Sequence, residues 1–276
     1  MNNYIYYING QFVKSIDAKI SFSDGAFQRG NAIFETIRFN KDCLFNIDNH
    51  IKRLNNGLKY LEFNIKETDA SLINLIKKVI AKNELAYGAI NIIISKDFDI
   101  NNPFATNTNL YISIRPIKDL EHGPVKVIFL NEWEFPIIRF KSPIKTNNYV
   151  GNIKALMVAK KNNVFDAVFI NKKNQITEST MRNIFFIKDN VLITPCISLG
   201  ILPGTTRQLV INLAHELGYD CKEKIIKFDD IQNMDEAFLT SSSYGVISCF
   251  WSGWNSNFKL TNKIRESLKQ KLFKGF

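Results

Sequence analysis

The sequence predicts an α+β protein built from two halves. Apolar residues recur at helical spacing in some segments and alternate in strand fashion in others, and a charged segment with Gly and Pro interrupts the pattern near the middle. The 276 residues fit one large or two modest domains, and the 45% hydrophobic content can supply a core. We predict an N-terminal domain over residues 1–117, a linker over 118–124 and a C-terminal domain over 125–276.

The first half is predicted to begin with a hairpin and to contain two helices. The hairpin covers Tyr4–Val13 and turns at Asn9-Gly10, a dipeptide that tight hairpin turns prefer. One helix has Asn46 or Asp48 as its cap and carries apolar residues at steps of four and three, namely Ile47, Ile51, Leu54, Leu58 and Leu61. The second covers Ser71–Lys82. The remaining predicted strands of this half are Ile33–Phe39, a return strand beginning at Leu44-Phe45, Ala89–Ser95 and Asn109–Ile117.

The second half is predicted to begin with the strand Val125–Leu130 and to end with a helix over Thr261–Lys274. Two further helices are expected, over Asn152–Asn163 and from just after Gly204 to Gly218, since glycine commonly ends a helix. The remaining predicted strands and hairpins are Asp166–Asn171, a turn over Lys172–Gln175, a hairpin over Asn183–Pro195 that turns at Asp189-Asn190, Cys221–Phe228 and Glu236–Ser242.

Composition argues against several classes of function. The formal charge of +10 comes from scattered lysines without a basic block, so nucleic-acid binding is not expected. No apolar run approaches the roughly 18 residues of a membrane span, and the first ten residues lack the features of a signal peptide. The four cysteines lie far apart and suggest neither a metal site nor a disulfide framework. We therefore expect a protein of the reducing cytoplasm.

Five features of the sequence could carry chemistry. A Pro-Gly turn delivers Thr205 and Thr206 to the first turn of a helix, where backbone N–H groups can bind an anion. A late strand ends in hydroxyl residues that include Ser241 and Ser242. The other three features are single side chains, namely Arg53 on a helix, Glu178 in a hairpin strand and Lys145 before small polar residues.

Each feature alone has an ordinary structural explanation, such as a capped helix, a polar turn or a solvated charge. Together they supply what pyridoxal 5′-phosphate requires. This cofactor needs a lysine for a Schiff base, a phosphate-binding cup that includes an arginine, and a carboxylate at the ring nitrogen.

The sequence resembles the class IV aminotransferases, which are the fold-type-IV pyridoxal-phosphate enzymes. The resemblance runs in order over nearly the whole chain, in the segments GNAIFETIR, NIDNHIKRL, IKTNNYVGNIKAL, ITESTMRNIFFIKDNVLITP, GILPGTTR and MDEAFLTSS. It implies a D-amino-acid-aminotransferase-like fold, with a small N-terminal α/β domain and a larger C-terminal α/β domain that has a barrel-like sheet. It also implies a homodimer in which a loop of the neighbour closes each site.

The resemblance assigns cofactor roles to particular residues. Lys145 resembles the Schiff-base lysine, whereas Lys141 and Lys154 lie outside the matching frame. Arg53 matches the arginine on the cofactor phosphate, and Glu178 matches the glutamate on the pyridine nitrogen. The phosphate-binding hydroxyls implied by the family are Thr205, Thr206, Ser241 and Ser242.

The resemblance also suggests substrate contacts. Ser242 belongs to a pair that touches the substrate carboxylate as well as the phosphate in the family. Glu35 and Arg38 lie in a segment whose relatives line the substrate pocket, although an ion pair within the strand explains them equally well. Lys96 stands where relatives commonly carry a carboxylate-binding arginine, and lysine supplies charge without a planar fork.

The motifs leave three functions open. The first is a transaminase that passes the amino group of an amino acid, with branched-chain substrates as candidates, to a 2-oxo acid. The second is 4-amino-4-deoxychorismate lyase, which releases 4-aminobenzoate and pyruvate. The Lys145-to-Asn148 spacing resembles both D-amino-acid transaminase and this lyase, and Tyr244-Gly245 is nearer to the lyase. The third is a paralogue that binds the cofactor without turnover. Lys145 would serve both enzyme reactions as general base, so the shared motifs do not separate them.

Overall fold

The computed structural model describes residues 3–41, 43–102, 107–117 and 123–274. The chain divides into two compact units. The first contains Met1–Asp119 together with Ile144–Asn148, and the second contains Leu120–Pro143 and Tyr149–Phe276. Most of the predicted linker over 118–124 lies outside the described residues, so the predicted domain boundaries stay a prediction.

The first unit contains a six-stranded antiparallel sheet. Its strands are β1 (Ile5–Ile8), β2 (Gln11–Lys14), β3 (Ala32–Asn40), β4 (Cys43–Leu44), β5 (Tyr87–Lys96) and β6 (Thr108–Arg115). Their spatial order is β2-β1-β6-β5-β3-β4. Asn9 and Gly10 both have positive φ, as the predicted hairpin turn requires. The long strands β3 and β5 pair from Ala32↔Ser95 to Asn40↔Tyr87, which fixes the register of β3.

Three helices accompany this sheet: α1 (Gly25–Arg29), α2 (Ile47–Leu61) and α3 (Asp69–Ala81). The buried residues of α2 include Ile51, Leu54 and Leu58, so its predicted apolar face is confirmed. The predicted N-cap position of α2 is confirmed at Asn46, although this residue has a left-handed conformation and makes no capping hydrogen bond through its side chain. The helix α1 was not predicted, since five residues are too few to show helical periodicity.

The segment Ile144–Asn148 lies against the start of β3. The Phe34 N–H donates to the Lys145 carbonyl at 2.9 Å, and the Asn147 N–H donates to the Ala32 carbonyl at 3.0 Å. The side-chain amide of Asn148 donates to the Gly30 carbonyl at 3.2 Å. These bonds attach the segment to the first unit, although the sequence division placed it in the C-terminal half.

The second unit contains an eight-stranded mixed sheet that curls into a half-barrel. The strands are β7 (Val125–Asn131), β8 (Asp166–Ile170), β9 (Ile176–Ser179), β10 (Asn183–Lys188), β11 (Val191–Pro195), β12 (Cys221–Lys224), β13 (Glu236–Ser241) and β14 (Gly245–Phe250). Their order is β12-β11-β10-β13-β14-β7-β8-β9. The predicted α+β class is therefore confirmed, as is the predicted hairpin of β10 and β11.

Three helices accompany the second sheet: α4 (Val150–Lys161), α5 (Thr205–Glu216) and α6 (Lys259–Lys274). The predicted strand over Cys221–Phe228 was too long, because β12 ends at Lys224 and a 3-10 helix begins at Phe228. The strand β14 was not predicted, although it pairs with both β13 and β7 and completes the sheet. Within the described part of the chain, no helix is long and apolar enough to cross a membrane.

Candidate active site

Lys145 is held in the first unit by the backbone of β3. Its carbonyl accepts the Phe34 N–H, and its half-buried side chain turns back so that Nζ lies 4.2 Å from the centroid of the Phe34 ring. The face of an aromatic ring attracts a cation. The amine therefore has a defined position near β3, unlike the exposed side chains of Lys141 and Lys154.

A buried cluster of three charged or polar side chains lies on β3 and α2. Both nitrogens on one edge of the Arg53 guanidinium reach the Glu35 carboxylate, with Nε to Oε1 at 2.6 Å and Nη2 to Oε2 at 2.7 Å. His50 Nδ1 is 2.7 Å from Glu35 Oε2. His50 and Arg53 are three residues apart on α2, which places them on one face of that helix beside β3.

Electrostatics link this cluster to Lys145. Burial alone would raise the pKa of Glu35, but Arg53 and His50 lower it to about 2. Burial lowers the pKa of His50, and the positive charges of Arg53 and Lys145 lower it further, against the opposing effect of Glu35. Lys145 thus lies close enough to influence His50, and the Glu35 carboxylate is bound by His50 and by the predicted phosphate-binding Arg53.

These pKa shifts predict a protein that loses stability in mild acid. An unfolded chain takes up a proton at His50 near pH 6.5, whereas the folded protein does so only at lower pH. The free energy of unfolding should therefore fall by up to about 1.4 kcal/mol per pH unit below that value. We expect the slope to be shallower in His50→Asn, measured by urea unfolding between about pH 7 and pH 5. Equal slopes in both proteins would contradict a neutral, buried His50.

In the second unit, Glu178 lies on β9 and is bound on both carboxylate oxygens. Arg139 Nη1 donates to Oε1, while Oε2 accepts the Asn183 side-chain amide at 3.3 Å and the Leu202 N–H at 3.2 Å. Arg139 also pairs with Glu132 at 2.9 Å. Burial alone would lower the pKa of Arg139, but the two glutamates raise it, so the guanidinium stays charged beside Glu178.

The predicted hydroxyl groups come together at the start of α5 and the end of β13. Thr205 Oγ1 and Ser242 Oγ are 3.4 Å apart, and Thr206 is buried in the first turn of α5. The Ser241 hydroxyl oxygen is buried and has no hydrogen-bond partner among the described residues. A buried hydroxyl without a partner is costly, so this arrangement favours a bound ligand with acceptor oxygens.

Gly204 precedes these threonines and has no room for a side chain. A Cβ atom there would lie 2.1 Å from Asn183 Oδ1. Asn183 also donates to the Leu202 carbonyl at 2.8 Å, so the same amide contacts Glu178 and fixes the loop before α5. Arg207 anchors the first turn of α5 from its buried side, donating to the Pro195 carbonyl at 3.0 Å.

A second buried ion pair holds the turn that follows Glu178. Asp166 accepts from Ser179 Oγ at 2.9 Å, Thr180 Oγ1 at 2.6 Å and Arg182 Nη1 at 2.5 Å. The Arg182 guanidinium carbon lies 4.8 Å from the centroid of the Tyr244 ring, which links this turn to the turn after Ser242.

The other predicted site residues lie in the first unit. Arg38 is buried near the far end of β3, with its guanidinium carbon 5.5 Å from the Tyr87 ring centroid. Lys96 ends β5, and its carbonyl accepts the Asn31 side-chain amide at 3.1 Å. Neither position decides a substrate role, so both assignments stay predictions.

Sequence reasoning missed several residues of these clusters: His50, Glu132, Arg139, Asp166, Arg182 and Asn183. A signal existed for His50, since it precedes Arg53 by three residues on a strongly amphipathic helix. No local pattern points to Arg139, because its contact with Glu178 spans 39 residues and arises from tertiary structure.

Comparison with known proteins decides the family. The model of the amino-transferase class IV family matches residues 32–249. The chain belongs to the class IV aminotransferase family. This family comprises pyridoxal-phosphate enzymes, so the chain is an enzyme of this family.

Two curated proteins and one solved structure are similar to this chain. A Methanocaldococcus jannaschii protein, provisionally named branched-chain-amino-acid aminotransferase, is 29% identical over 271 residues, covering 96% of this chain and 94% of the relative. Aminodeoxychorismate lyase from Bacillus subtilis is 25% identical over 251 residues, which cover 87% of this chain and 84% of the lyase. The fold is also similar to the solved structure of Thermobaculum terrenum branched-chain amino acid aminotransferase in its pyridoxal-phosphate holo-form. The two structures match with a TM-score of 0.86 and 21% identity, over 99% of this chain and 95% of the other.

The residues of this class IV chain fit the family's cofactor. Lys145 offers an amine, Glu178 offers a carboxylate suited to a ring N–H, and Ser241 offers a buried hydroxyl that lacks a partner among the described residues. Hydroxyls and backbone N–H groups at a helix start are suitable donors for a phosphate. In the ranges that the structure describes, no cluster of His, Cys, Asp or Glu side chains could hold a metal ion.

Proposed function

We propose that this chain is a pyridoxal-phosphate-dependent aminotransferase that transfers the amino group of an amino acid to a 2-oxo acid. The observation that carries the proposal is the placement of Lys145, fixed by β3 next to the cluster of Glu35, His50 and Arg53. The extended similarity to the Methanocaldococcus jannaschii relative supports branched-chain amino acids as candidate donors.

The proposed roles follow from the chemistry of each side chain. The phosphate of pyridoxal phosphate would be bound by one arginine and four hydroxyl residues, namely Arg53, Thr205, Thr206, Ser241 and Ser242. When bound, the cofactor supplies an electron sink for the negative charge that develops at the substrate Cα. Lys145 Nζ would hold the cofactor through its aldehyde, with loss of water, and would accept the Cα proton as a free amine once the substrate amine has displaced it. Glu178, paired with Arg139, would keep a proton on the ring nitrogen.

The proposed substrate contacts are less closely constrained than the cofactor contacts. Ser242 lies in the hydroxyl cluster and could donate to a substrate carboxylate as well as to phosphate. Arg38 and Lys96 remain candidates for binding an acidic group of the substrate. Glu35 was assigned to the same pocket, but its carboxylate is 1% exposed and bound by Arg53 and His50.

A second candidate function is 4-amino-4-deoxychorismate lyase, which forms 4-aminobenzoate and pyruvate. The similarity to the Bacillus subtilis lyase favours it. Lys96, in place of the arginine that relatives commonly carry for a carboxylate, counts against a standard D-amino-acid transaminase. A cofactor-binding paralogue without turnover is the third alternative, and the complete set of Lys145, Arg53 and Glu178 argues against it.

We also propose a homodimer located in the cytoplasm. All four cysteines are free thiols, as expected in a reducing compartment. The first unit exposes several large apolar side chains close together in sequence, which are Ile16, Ile20, Phe22 and Phe27. Such exposure is typical of a surface covered by a second copy. Light scattering on the purified protein measures the mass that decides the oligomeric state.

The reaction is tested by supplying substrates with and without an acceptor. We expect keto-acid formation from valine or leucine only when 2-oxoglutarate is present. Pyruvate release from aminodeoxychorismate without any acceptor would instead select the lyase. If the protein binds the cofactor but forms neither product, both enzyme functions are rejected. The assay should include individual D-amino acids, because the motifs do not fix the stereochemistry.

A further inference from the structure

We infer that Glu35 and His50 are positioning residues for Arg53, and that they aim its guanidinium at the cofactor phosphate. The inference rests on the proposed function and gives Glu35 a role different from the substrate contact suggested by the resemblance. It concerns the first unit only, where all three side chains lie.

The first step is the geometry of the Arg53–Glu35 pair. Nε and Nη2 of Arg53 both bind the carboxylate, so one edge of the planar guanidinium is fixed by two short hydrogen bonds. A pair of parallel bonds removes rotation about the end of the side chain, which a single contact would allow. The Nη1 end then projects on the side opposite Glu35. A phosphate that faces this end would accept hydrogen bonds from the guanidinium in a fixed direction.

The second step is the fixation of Glu35 itself. Its backbone lies in the middle of β3, where residue 35 pairs with Ile92 of β5. Its Oε2 atom receives Arg53 Nη2 and lies 2.7 Å from His50 Nδ1, so the carboxylate is held from two directions. Glu35 is 1% exposed and His50 2% exposed, so water does not replace a lost partner easily.

The third step compares two effects of Glu35, one on the net charge near Arg53 and one on the direction of the Arg53 guanidinium. Glu35 balances the charge of Arg53, so the pair attracts an anion less strongly than an arginine alone. If net charge governed cofactor binding, removal of the Glu35 charge would tighten it. If the direction of the guanidinium governs cofactor binding, removal of the Glu35 charge weakens binding, because the carboxylate no longer holds Nε and Nη2 of Arg53 in place. The two explanations therefore predict changes of opposite sign.

The experiment compares two probes, pyridoxal 5′-phosphate and pyridoxal, which differ only in the phosphate. Full-length protein is stripped of cofactor and titrated with each probe, and binding is followed by absorbance. We expect Glu35→Gln to weaken binding of pyridoxal 5′-phosphate about 10- to 100-fold, the usual effect of losing a charged hydrogen bond. Binding of pyridoxal should change less than about threefold. Arg53→Lys should show the same phosphate-selective loss.

Two further variants guard against a general loss of folding. His50→Asn keeps a donor near the Nδ1 position and leaves the Glu35 charge intact, so we expect a loss of the same selectivity but smaller size. Tyr111→Phe removes a different hydrogen bond of the first unit, the one donated to Asp24 at 2.6 Å, and should leave phosphate selectivity unchanged. Circular dichroism checks each variant for a native fold, and His50→Asn provides the test if Glu35→Gln does not fold.

Equal or tighter binding of pyridoxal 5′-phosphate by Glu35→Gln would overturn the inference, as would an equal loss for both probes. Failure of the proposed function gives a different result. In that case, borohydride treatment of the wild-type protein with pyridoxal 5′-phosphate leaves no adduct on Lys145. An adduct on Lys145 in all variants, with unchanged phosphate selectivity, would reject the positioning role alone.

Discussion

Lys145→Ala is expected to form no covalent adduct with pyridoxal 5′-phosphate after borohydride treatment, whereas the wild-type protein gains a pyridoxyl group on Lys145. The amine over the Phe34 ring is the group that the cofactor aldehyde would meet, and alanine has no nucleophile. The same change removes the proposed general base, so turnover should fall by at least about 10²- to 10⁴-fold. Peptide mass spectrometry locates the adduct, and a coupled assay measures turnover.

The matched controls are Lys141→Ala and Lys154→Ala. Both lysines are exposed and lie near Lys145 in the sequence, so they test whether any nearby amine is modified. We expect a wild-type adduct and wild-type turnover in both. The main-chain bonds of Lys145 to β3 do not involve its side chain, so the alanine variant should keep its fold. An adduct on another lysine in the wild-type protein would remove Lys145 from its proposed role.

The fold was largely predictable because its signals are local. The Asn9-Gly10 turn, the apolar stripe of α2 and the hairpin at Asp189-Asn190 each depend on a few neighbouring residues. The errors occurred where local signals are weak. The helix α1 is too short for periodicity, and the position of the segment at Lys145 depends on pairing with β3, more than 100 residues earlier in the chain.

The candidate site shows the same division between local and distant information. The motifs pointed to Lys145, Arg53, Glu178 and the hydroxyls near Thr205 because those residue types suit one cofactor. The partners of these residues could not be found in this way. Glu35 reaches Arg53 across 18 residues, and Arg139 reaches Glu178 across 39, and both contacts exist only once the sheets have formed. The motifs therefore indicate which groups are candidates for the site, while the structure shows which groups contact them.

Glu178→Gln is expected to retain pyridoxal 5′-phosphate but to slow removal of the substrate Cα proton by about 10²- to 10³-fold, the range typical for loss of one electrostatic stabilising group. The glutamine keeps the shape of the side chain and can still accept the Leu202 N–H. It lacks the negative charge that would hold a proton on the ring nitrogen, so charge developing at Cα is less well stabilised. Proton exchange at Cα in D₂O, followed by NMR, measures this step directly, and cofactor absorbance measures retention.

Arg139→Leu separates the charge of Glu178 from its position. This change leaves the carboxylate in place but removes the cation that is paired with it, and it also leaves Glu132 without that partner. We expect slower exchange than in the wild type but faster exchange than in Glu178→Gln, because Asn183 and Leu202 still hold the carboxylate. Glu178→Asp should also retain part of the activity, since the charge remains. Wild-type exchange in Glu178→Gln would show that the ring nitrogen needs no carboxylate, and Arg139 would then have no role in the reaction.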